Sequence, residues 1–277
     1  MAHILVIGSS GAVGSELVRE LVSNGHTVRG TTHKRSGDAE RVHVDLATGE
    51  GLRAAFEGID RAFLMSPGGY ADQHRVLSPL IQEAKRRGLQ KVVLMTAMGA
   101  DANEATPLRR AEVELEKSGL PYSIIRPNWF MQNFNTFWVS GIREHGKISL
   151  PAKRAKVSFI DTRDISAVAA RLLSDATHAN RAFTLTGAEA LDHDEVAALL
   201  SKASGKRITY AQSEPAELRA GLVGAGLPED YADFLVLIMG FLAEGYSRAV
   251  TDDVERLLDR RPRSLARYAE EYVNAWR

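Results

Sequence analysis

Three glycines near the amino terminus, Gly8, Gly11 and Gly14, stand between an apolar run (residues 3–7) and a segment with helical spacing (residues 16–22). Residues without Cβ let the backbone come close to a pyrophosphate, and the N–H groups at a helix N-terminus attract the anion. The spacing G-x-x-G-x-x-G matches the common fingerprint G-x-G-x-x-G only in part, and an ordinary tight turn is the alternative. We predict that a dinucleotide is bound here by Gly8, Ser10, Gly11, Ala12, Val13 and Gly14.

Basic residues follow the second predicted strand. About 20 residues beyond such a glycine motif, an acidic residue favours NAD, whereas a basic one accommodates the 2′-phosphate of NADP. The corresponding positions are His33, Lys34 and Arg35, and the next acidic residue is Asp38. We therefore predict that all three bind cofactor and that NADP(H) is preferred over NAD(H). The alternative is a solvated loop, which is common for any Lys-Arg pair.

Three more predicted strands end in residues that suit a cofactor. In open α/β sheets ligands bind outside the carboxyl ends of the strands. Asp45 could accept a hydrogen bond from an adenine amino group or cap the next predicted helix (residues 48–56), and the two roles are compatible. The nicotinamide is expected near Pro67 and Thr96. The further predicted cofactor-binding residues are Asp45, Leu46, Met65, Ser66, Pro67, Thr96 and Ala97.

A mixture of aromatic and amide side chains follows the sixth predicted strand, in residues 127–134. Such a mixture suits a pocket that needs stacking surface and a few hydrogen bonds, although burial in the core is the common fate of aromatic residues. The apolar helix around Phe234 must also be covered, by the core, a dimer partner or an apolar substrate, and the core is favoured. The predicted substrate-binding residues are Tyr70, Asn128, Trp129, Phe130, Asn133 and Phe234.

The elements that must position these residues alternate between strand and helix. Strands are predicted at residues 3–7, 26–32, 42–44, 59–65, 91–95, 121–126, 156–160, 182–185 and 207–210. Asp161 is a plausible N-cap of a helix at 165–174, and Asp192 with Glu195 predicts another from 192 to 203. The alternation predicts an α/β fold with a Rossmann-type doubly wound parallel sheet. We expect an NAD(P)-binding domain in residues 1–150, with sheet elements returning at about 156–185, and a smaller mixed, mainly helical substrate subdomain in residues 186–277.

Composition excludes several classes of function. The chain has 277 residues, 44% of them hydrophobic, and its 35 Lys and Arg balance its 35 Asp and Glu, so no overall charge favours direct binding of nucleic acid or a membrane. It contains no cysteine, its eight histidines lack metal-ligand spacing, and no G-x-S-x-G motif occurs. We predict no metal site. No signal peptide is recognised, and a cytoplasmic location is expected.

With these residues assembled, the chain resembles the NmrA-like family of atypical short-chain dehydrogenases/reductases over essentially its full length. The resemblance rests on residues 8–14, 45–46, 118–127, 128–134, 159–161, 163–164 and 185–187. Within that family it is most similar to bacterial NADPH-dependent quinone reductases and triphenylmethane-dye reductases. The resemblance implies a Rossmann protein with a small C-terminal substrate domain, NADP(H) at the strand ends, and a small flat apolar acceptor such as a quinone or a dye.

Two departures from the family pattern matter. His33 stands where the family often has Arg, which leaves the 2′-phosphate to Lys34 and Arg35. The wider superfamily uses a Tyr-x-x-x-Lys pair to donate a proton, and this sequence contains no such pair; the matching helix has Leu108 to Val113 instead. The catalytic residues are therefore unknown. A reductase and an NAD(P)-sensing regulatory protein without catalysis both fit, and a protein partner would be a second copy or a regulated protein. An isomerase or dehydratase is disfavoured.

Overall fold

A computed structural model describes residues 1–33, 41–175 and 177–277 of the chain. The chain divides into two compact units. The first unit comprises Met1–Pro127 and Thr162–Thr184, and the second comprises Asn128–Asp161 and Leu185–Arg277. The domain boundaries predicted from the sequence, near residues 150 and 185, stay predictions.

The described residues form nine strands and eleven α-helices. The strands are β1 His3–Val6, β2 Thr27–Thr32, β3 Arg41–His43, β4 Arg61–Met65, β5 Lys91–Met95, β6 Tyr122–Pro127, β7 Lys147–Leu150, β8 Arg181–Leu185 and β9 Thr209–Gln212. The helices are α1 Ala12–Ser23, α2 Leu52–Ala55, α3 Gln73–Arg87, α4 Pro107–Glu116, α5 Val139–His145, α6 Thr162–Ser174, α7 His193–Ser204, α8 Pro215–Gly224, α9 Glu229–Ala243, α10 Asp253–Leu258 and α11 Leu265–Glu271.

Seven strands form one sheet in the order β3-β2-β1-β4-β5-β6-β8. Each strand from β1 to β6 pairs in parallel with its neighbours among them. Every residue of β5 is buried, as a parallel strand covered on both faces requires. Helices α3 and α4 pack together on one side, where their apolar residues join Leu5, Leu64 and Leu94 of the sheet in one cluster. Helix α6 packs against α1 and contacts β4, β5 and β6.

This arrangement confirms the predicted Rossmann-type doubly wound sheet. The side chain of Ser166 in α6 joins the two helices of its layer, because its hydroxyl donates to the Val13 carbonyl of α1 at 2.8 Å. Helix α1 turns Val13, Gly14, Leu17 and Leu21 inward, with the spacing of one helical face.

The second unit has its own core and a small parallel sheet of β7 and β9. The core gathers Phe134, Phe159, Leu200 and Tyr268 around the fully buried Trp276, whose indole N–H donates to the Phe134 carbonyl at 3.2 Å. Helix α7 begins with the predicted capping box, in which the Asp192 carboxylate accepts from the Glu195 N–H and the Glu195 carboxylate accepts from the Asp192 N–H, both at 2.8 Å. None of the described residues of α8 is buried.

Several elements differ from the sequence predictions. The strand expected at 156–160 is reduced to two isolated bridges, Phe130 with Ile160 and Val157 with Leu191. Helix α5 and strand β7 lie in a stretch that gave no clear pattern. The helix expected at 48–56 is wrong in extent, because Gly49 and Gly51 adopt φ values of +81° and +79° and only α2 is helical.

Among the described residues, no helix is long and apolar enough to cross a membrane.

Candidate functional site

Two hydrogen bonds to Thr31 hold the loop after β1 against β2. Gly8 has a φ of +75°, and its N–H donates to the Thr31 hydroxyl oxygen at 3.2 Å. The buried Ser9 hydroxyl donates to the Thr31 carbonyl at 2.9 Å. The Gly11 N–H donates to the Gly8 carbonyl at 3.0 Å and closes the turn. The loop therefore has one defined shape that Thr31 maintains.

Glycine is required where the first turn of α1 meets this loop. A Cβ added to Gly14 would lie 2.1 Å from the Gly8 carbonyl oxygen, far inside any real contact. A Cβ on Gly11 would find its nearest neighbour at 3.4 Å. The two glycines thus have different roles. Gly14 lets the helix pack against the loop, while Gly11 leaves the N-terminus of the helix accessible.

The N-terminus of α1 is suited to an anion. Gly11 is its N-cap in an extended conformation, and no side chain of a described residue caps the helix. The first N–H groups of a helix have no acceptor within it, and the helix dipole adds positive potential at this end. Ser10, Gly11 and Ala12 are exposed. These features fit the pyrophosphate of a dinucleotide, as the glycine spacing predicts.

The other predicted cofactor residues follow strands that end at the same edge of the sheet. Met65 lies opposite Met95 in the register of β4 and β5, so Ser66 and Thr96 follow neighbouring strands. The Met65 sulfur would lie only 2.9 Å from a Cβ on Gly8, so this side chain packs directly on the glycine loop. His33 is exposed after β2. Lys34 and Arg35 lie outside the described residues, and their predicted role stays a prediction.

Asp45 lies two residues after β3, in a turn that its own side chain caps. Its carboxylate accepts hydrogen bonds from the N–H groups of Ala47 at 2.8 Å and Thr48 at 3.3 Å, and these bonds lower the pKa of the Asp45 carboxyl. Asp45 therefore caps a turn, and the prediction that it caps a helix from residue 48 is wrong because α2 begins only at Leu52. Its predicted contact with adenine stays a prediction.

The Thr96 side chain is hydrogen-bonded to a network of charged side chains centred on the buried Glu112. The Thr96 hydroxyl donates to the Glu112 carboxylate at 2.7 Å, and Arg126 donates to both oxygens of that carboxylate at 2.9 and 2.7 Å. Arg109 adds a third ionic contact at 3.1 Å, and Asp101 contacts Arg126 at 2.5 Å. Burial alone would raise the pKa of the Glu112 carboxyl, but the hydrogen bonds from Arg126 and Thr96 outweigh burial, and the pKa is lowered.

Sequence reasoning missed Glu112, Arg126, Ser9 and Thr31 as parts of this region. The available signal for Arg126 was a charged residue inside a continuous apolar strand, which needs a buried partner. The available signal for Glu112 was its spacing, because it falls on the same face of α4 as Leu108, Ala111 and Leu115, four residues after Leu108.

The predicted substrate residues fall in both units. Tyr70 is half-buried in the first unit, in the loop before α3. Asn128 belongs to the second unit, where its buried amide donates to the Ser158 hydroxyl at 2.7 Å and the Ser247 carbonyl at 2.8 Å. Those bonds give Asn128 a structural role, because both are made by its amide nitrogen to residues of its own unit.

The remaining predicted substrate residues also belong to the second unit and are partly exposed. Trp129 packs against the core of that unit, and its carbonyl accepts from the Ile160 N–H at 2.9 Å. Phe234 stacks on Tyr231 with ring centroids 6.0 Å apart. Phe130 and Asn133 are half-buried. Binding of a substrate by these residues stays a prediction.

Known proteins resemble this chain over nearly its whole length. The model of the NmrA-like family matches residues 1–273. The NAD(P)H azoreductase of Xenophilus azovorans is 32% identical over 284 residues, which cover 99% of each chain. The structure of Citrobacter sp. triphenylmethane reductase complexed with NADP(H) has a TM-score of 0.82 at 20% identity and covers 98% of this chain and 99% of that one.

A third similar protein is the NADPH-dependent quinone oxidoreductase QOR2 of Escherichia coli, solved with NADPH. Its TM-score is 0.81 at 23% identity, with 97% of this chain and 99% of that chain covered. At these identities the structural matches show the fold, while the family match and the azoreductase show membership. The chain therefore belongs to the NmrA-like family.

Proposed function

We propose that this chain is an NAD(P)H-dependent reductase that prefers NADPH and transfers hydride to a small, flat, apolar acceptor such as a quinone or a dye. The observation that carries the proposal is the close approach of Gly14 to the Gly8 carbonyl beside the open N-terminus of α1. The similarity to an azoreductase, a triphenylmethane reductase and a quinone oxidoreductase supports the reaction class.

Each part of the first unit has a task in this proposal. The N–H groups of Ala12 and Val13 would hold the pyrophosphate, and Ser9 and Thr31 would keep the loop in shape. Lys34 and Arg35 would bind the 2′-phosphate, and residues 65–67 with Thr96 would hold the ribose and nicotinamide. The nicotinamide supplies the hydride when bound. For an electron-poor acceptor, holding the two reactants in the right orientation supplies most of the rate.

The test is oxidation of NADPH and NADH by the purified protein with a panel of quinones, azo dyes and triphenylmethane dyes. We expect turnover above the rate without enzyme for at least one acceptor, and a larger kcat/KM with NADPH than with NADH. Absence of turnover with every acceptor would overturn the proposed reaction.

Cofactor preference can be tested separately with Lys34→Ala and Arg35→Ala. Hydrogen bonds to charged groups contribute about 1.5–3 kcal/mol each, so each substitution is expected to weaken NADPH binding about tenfold or more and to leave NADH binding unchanged. Lys117→Ala is the matched control, because Lys117 is an exposed lysine at the C-cap of α4, the end of that helix that leads to the start of β6. Equal effects on NADPH and NADH would contradict the assigned preference.

A second candidate is an NAD(P)-sensing regulatory protein without catalysis. The observation in its favour is that α4 contains no Tyr-x-x-x-Lys pair, and that the side chain bonded to Thr96 from this helix is Glu112, an acceptor held ionised by arginines. This function predicts nucleotide binding without turnover and a protein partner recovered in only one redox state of the nucleotide.

A further inference from the structure

The hydrogen of the Thr96 hydroxyl is used in a hydrogen bond within the protein. Thr96 follows β5 directly at the edge of the sheet where the glycine loop also lies, and 8% of its surface remains exposed. Its Oγ1 lies 2.7 Å from the Glu112 carboxylate. A hydroxyl has one hydrogen and two lone pairs, so the direction of this one bond decides what Thr96 can offer to a ligand.

Glu112 can only accept in this bond. Its side chain is fully buried, and its two oxygens receive two hydrogen bonds from Arg126 and one from Arg109. A carboxylate held by two guanidinium groups is ionised and has no hydrogen to donate. Thr96 must therefore be the donor in this bond, so its oxygen can act toward a ligand only as a hydrogen-bond acceptor.

The position of Thr96 identifies the part of a dinucleotide that it would meet. In the sheet order, β4 and β5 lie on one side of β1, while β2 and β3, with His33 and Asp45 at their ends, lie on the other. The adenosine half belongs on the β2 side, where the ribose is recognised, so the nicotinamide half extends toward β5. Two strand spacings, about 10 Å, separate β1 from β5. The nicotinamide carries a carboxamide with N–H donors.

We propose that Glu112 is a positioning residue that turns the Thr96 hydroxyl so that its oxygen accepts a hydrogen bond from the nicotinamide carboxamide. The inference rests on the proposed function, since it requires a bound dinucleotide. It also means that Thr96 cannot donate a proton to the reduced acceptor. The proton that Tyr-x-x-x-Lys supplies elsewhere in the superfamily does not come from this hydroxyl.

The first test compares two ligands by calorimetry: NADPH, and 2′-phospho-ADP-ribose, which lacks the nicotinamide. Thr96→Val removes the hydroxyl and keeps the shape of the side chain. A neutral hydrogen bond of ordinary strength corresponds to about a two- to tenfold change in Kd. We expect Thr96→Val to weaken NADPH binding by this factor and to leave 2′-phospho-ADP-ribose unchanged. Thr96→Ser should bind both ligands like the unaltered protein.

The second test addresses Glu112. Glu112→Gln introduces an N–H donor, which allows the Thr96 hydroxyl to turn around and donate outward, so NADPH binding should weaken as it does in Thr96→Val. The double variant should show no additional loss. Glu114→Gln is the matched control: this carboxylate is two residues away in α4 and accepts hydrogen bonds from His74 and Ser78. It should bind both ligands normally.

The outcomes separate this inference from the proposed function. If the unaltered protein binds neither ligand, the proposed function fails and this inference fails with it. If it binds both and Thr96→Val changes neither Kd, or changes both equally, only the inference is overturned. If Thr96→Val weakens NADPH binding and folded Glu112→Gln does not, the role of Glu112 is refuted. Should Glu112→Gln not fold, the comparison of Thr96→Val with Thr96→Ser still decides whether the hydroxyl meets the nicotinamide.

Discussion

A fall in pH from 7 to 5 is expected to destabilise the second unit through one buried side chain, His193. This residue begins α7, has no exposed surface, and neither of its ring nitrogens has a hydrogen-bond partner among the described residues. Four aromatic rings surround it, those of Phe134, Trp138, Phe159 and Tyr210, with centroids 5.4 to 6.5 Å away. Burial lowers its pKa to about 4, and the Asp192 carboxylate only partly opposes this effect.

The direction of this pH effect on stability follows from proton binding. In the unfolded chain the histidine has its ordinary pKa of 6.5. Between about pH 6.5 and pH 4 the unfolded chain binds more protons than the folded one, so the free energy of unfolding falls as the pH falls. One pKa unit corresponds to about 1.36 kcal/mol. The full loss is therefore about 3 kcal/mol, reached below pH 4, and about 2 kcal/mol of it occurs between pH 7 and pH 5.

The assay is urea unfolding at the two pH values, followed by tryptophan fluorescence. All three tryptophans, Trp129, Trp138 and Trp276, belong to the second unit, so the signal reports on the unit that contains His193. His193→Leu replaces the ring with an apolar side chain of similar size. At pH 7 it should lie within about 1 kcal/mol of the unaltered protein, because no hydrogen bond is lost.

The comparison of the two proteins at pH 5 tests whether His193 causes the loss of stability. The unaltered protein should lose about 2 kcal/mol more than His193→Leu between pH 7 and pH 5. His145→Leu is the control, since His145 is an exposed histidine at the end of α5 in the same unit, and it should behave like the unaltered protein. Equal losses in His193→Leu and the unaltered protein would refute the reasoning.

Four further substitutions have distinct expected outcomes. Gly14→Ala should abolish nucleotide binding and lower the free energy of unfolding by about 1–3 kcal/mol through overpacking against Gly8, whereas Gly11→Ala should melt like the unaltered protein; equal melting temperatures for the two would contradict this. The added methyl of Gly240→Ala in α9 meets no atom of the described residues within 4 Å, and the substitution should stabilise by about 0.5–1 kcal/mol in thermal unfolding, so a lower melting temperature would count against it. Asn128→Ala should cost about 1–3 kcal/mol and speed proteolysis in the loop at 245–250; unchanged stability would contradict the structural role of this amide.

The sequence was informative where structure is determined locally. The run from β1 through Gly8 to α1 was predictable because a strand, a glycine turn and a helix start are each encoded by adjacent residues. The capping box of Asp192 and Glu195 is equally local. The predicted strand at 156–160 was wrong because a strand needs a neighbouring strand that pairs with it along its length, and only isolated residues there find a bridging partner.

The charge network behind Thr96 illustrates what the sequence could not reveal. Glu112 and Arg126 are 14 residues apart on different elements, and only the packing of α4 against the sheet brings them together. From the sequence alone, Glu112 is one of three glutamates in α4, and its spacing from Leu108, Ala111 and Leu115 places it on the apolar face. The spacing does not show which side chains pair with a buried Glu112, because Thr96 and Arg126 meet it only through tertiary packing.

The first unit is discontinuous along the chain, and this affects both its folding during synthesis and the choice of a fragment that contains it. Helix α6 and strand β8 are synthesised only after residues 128–161, so the sheet cannot be completed, nor α1 joined by its partner helix, while the first 127 residues alone have left the ribosome. A fragment that ends at residue 150 would contain the entire glycine loop yet lack Ser166 and the helix that packs on α1. To obtain the first unit in isolation, one would have to join residues 1–127 to residues 162–184 rather than truncate the chain.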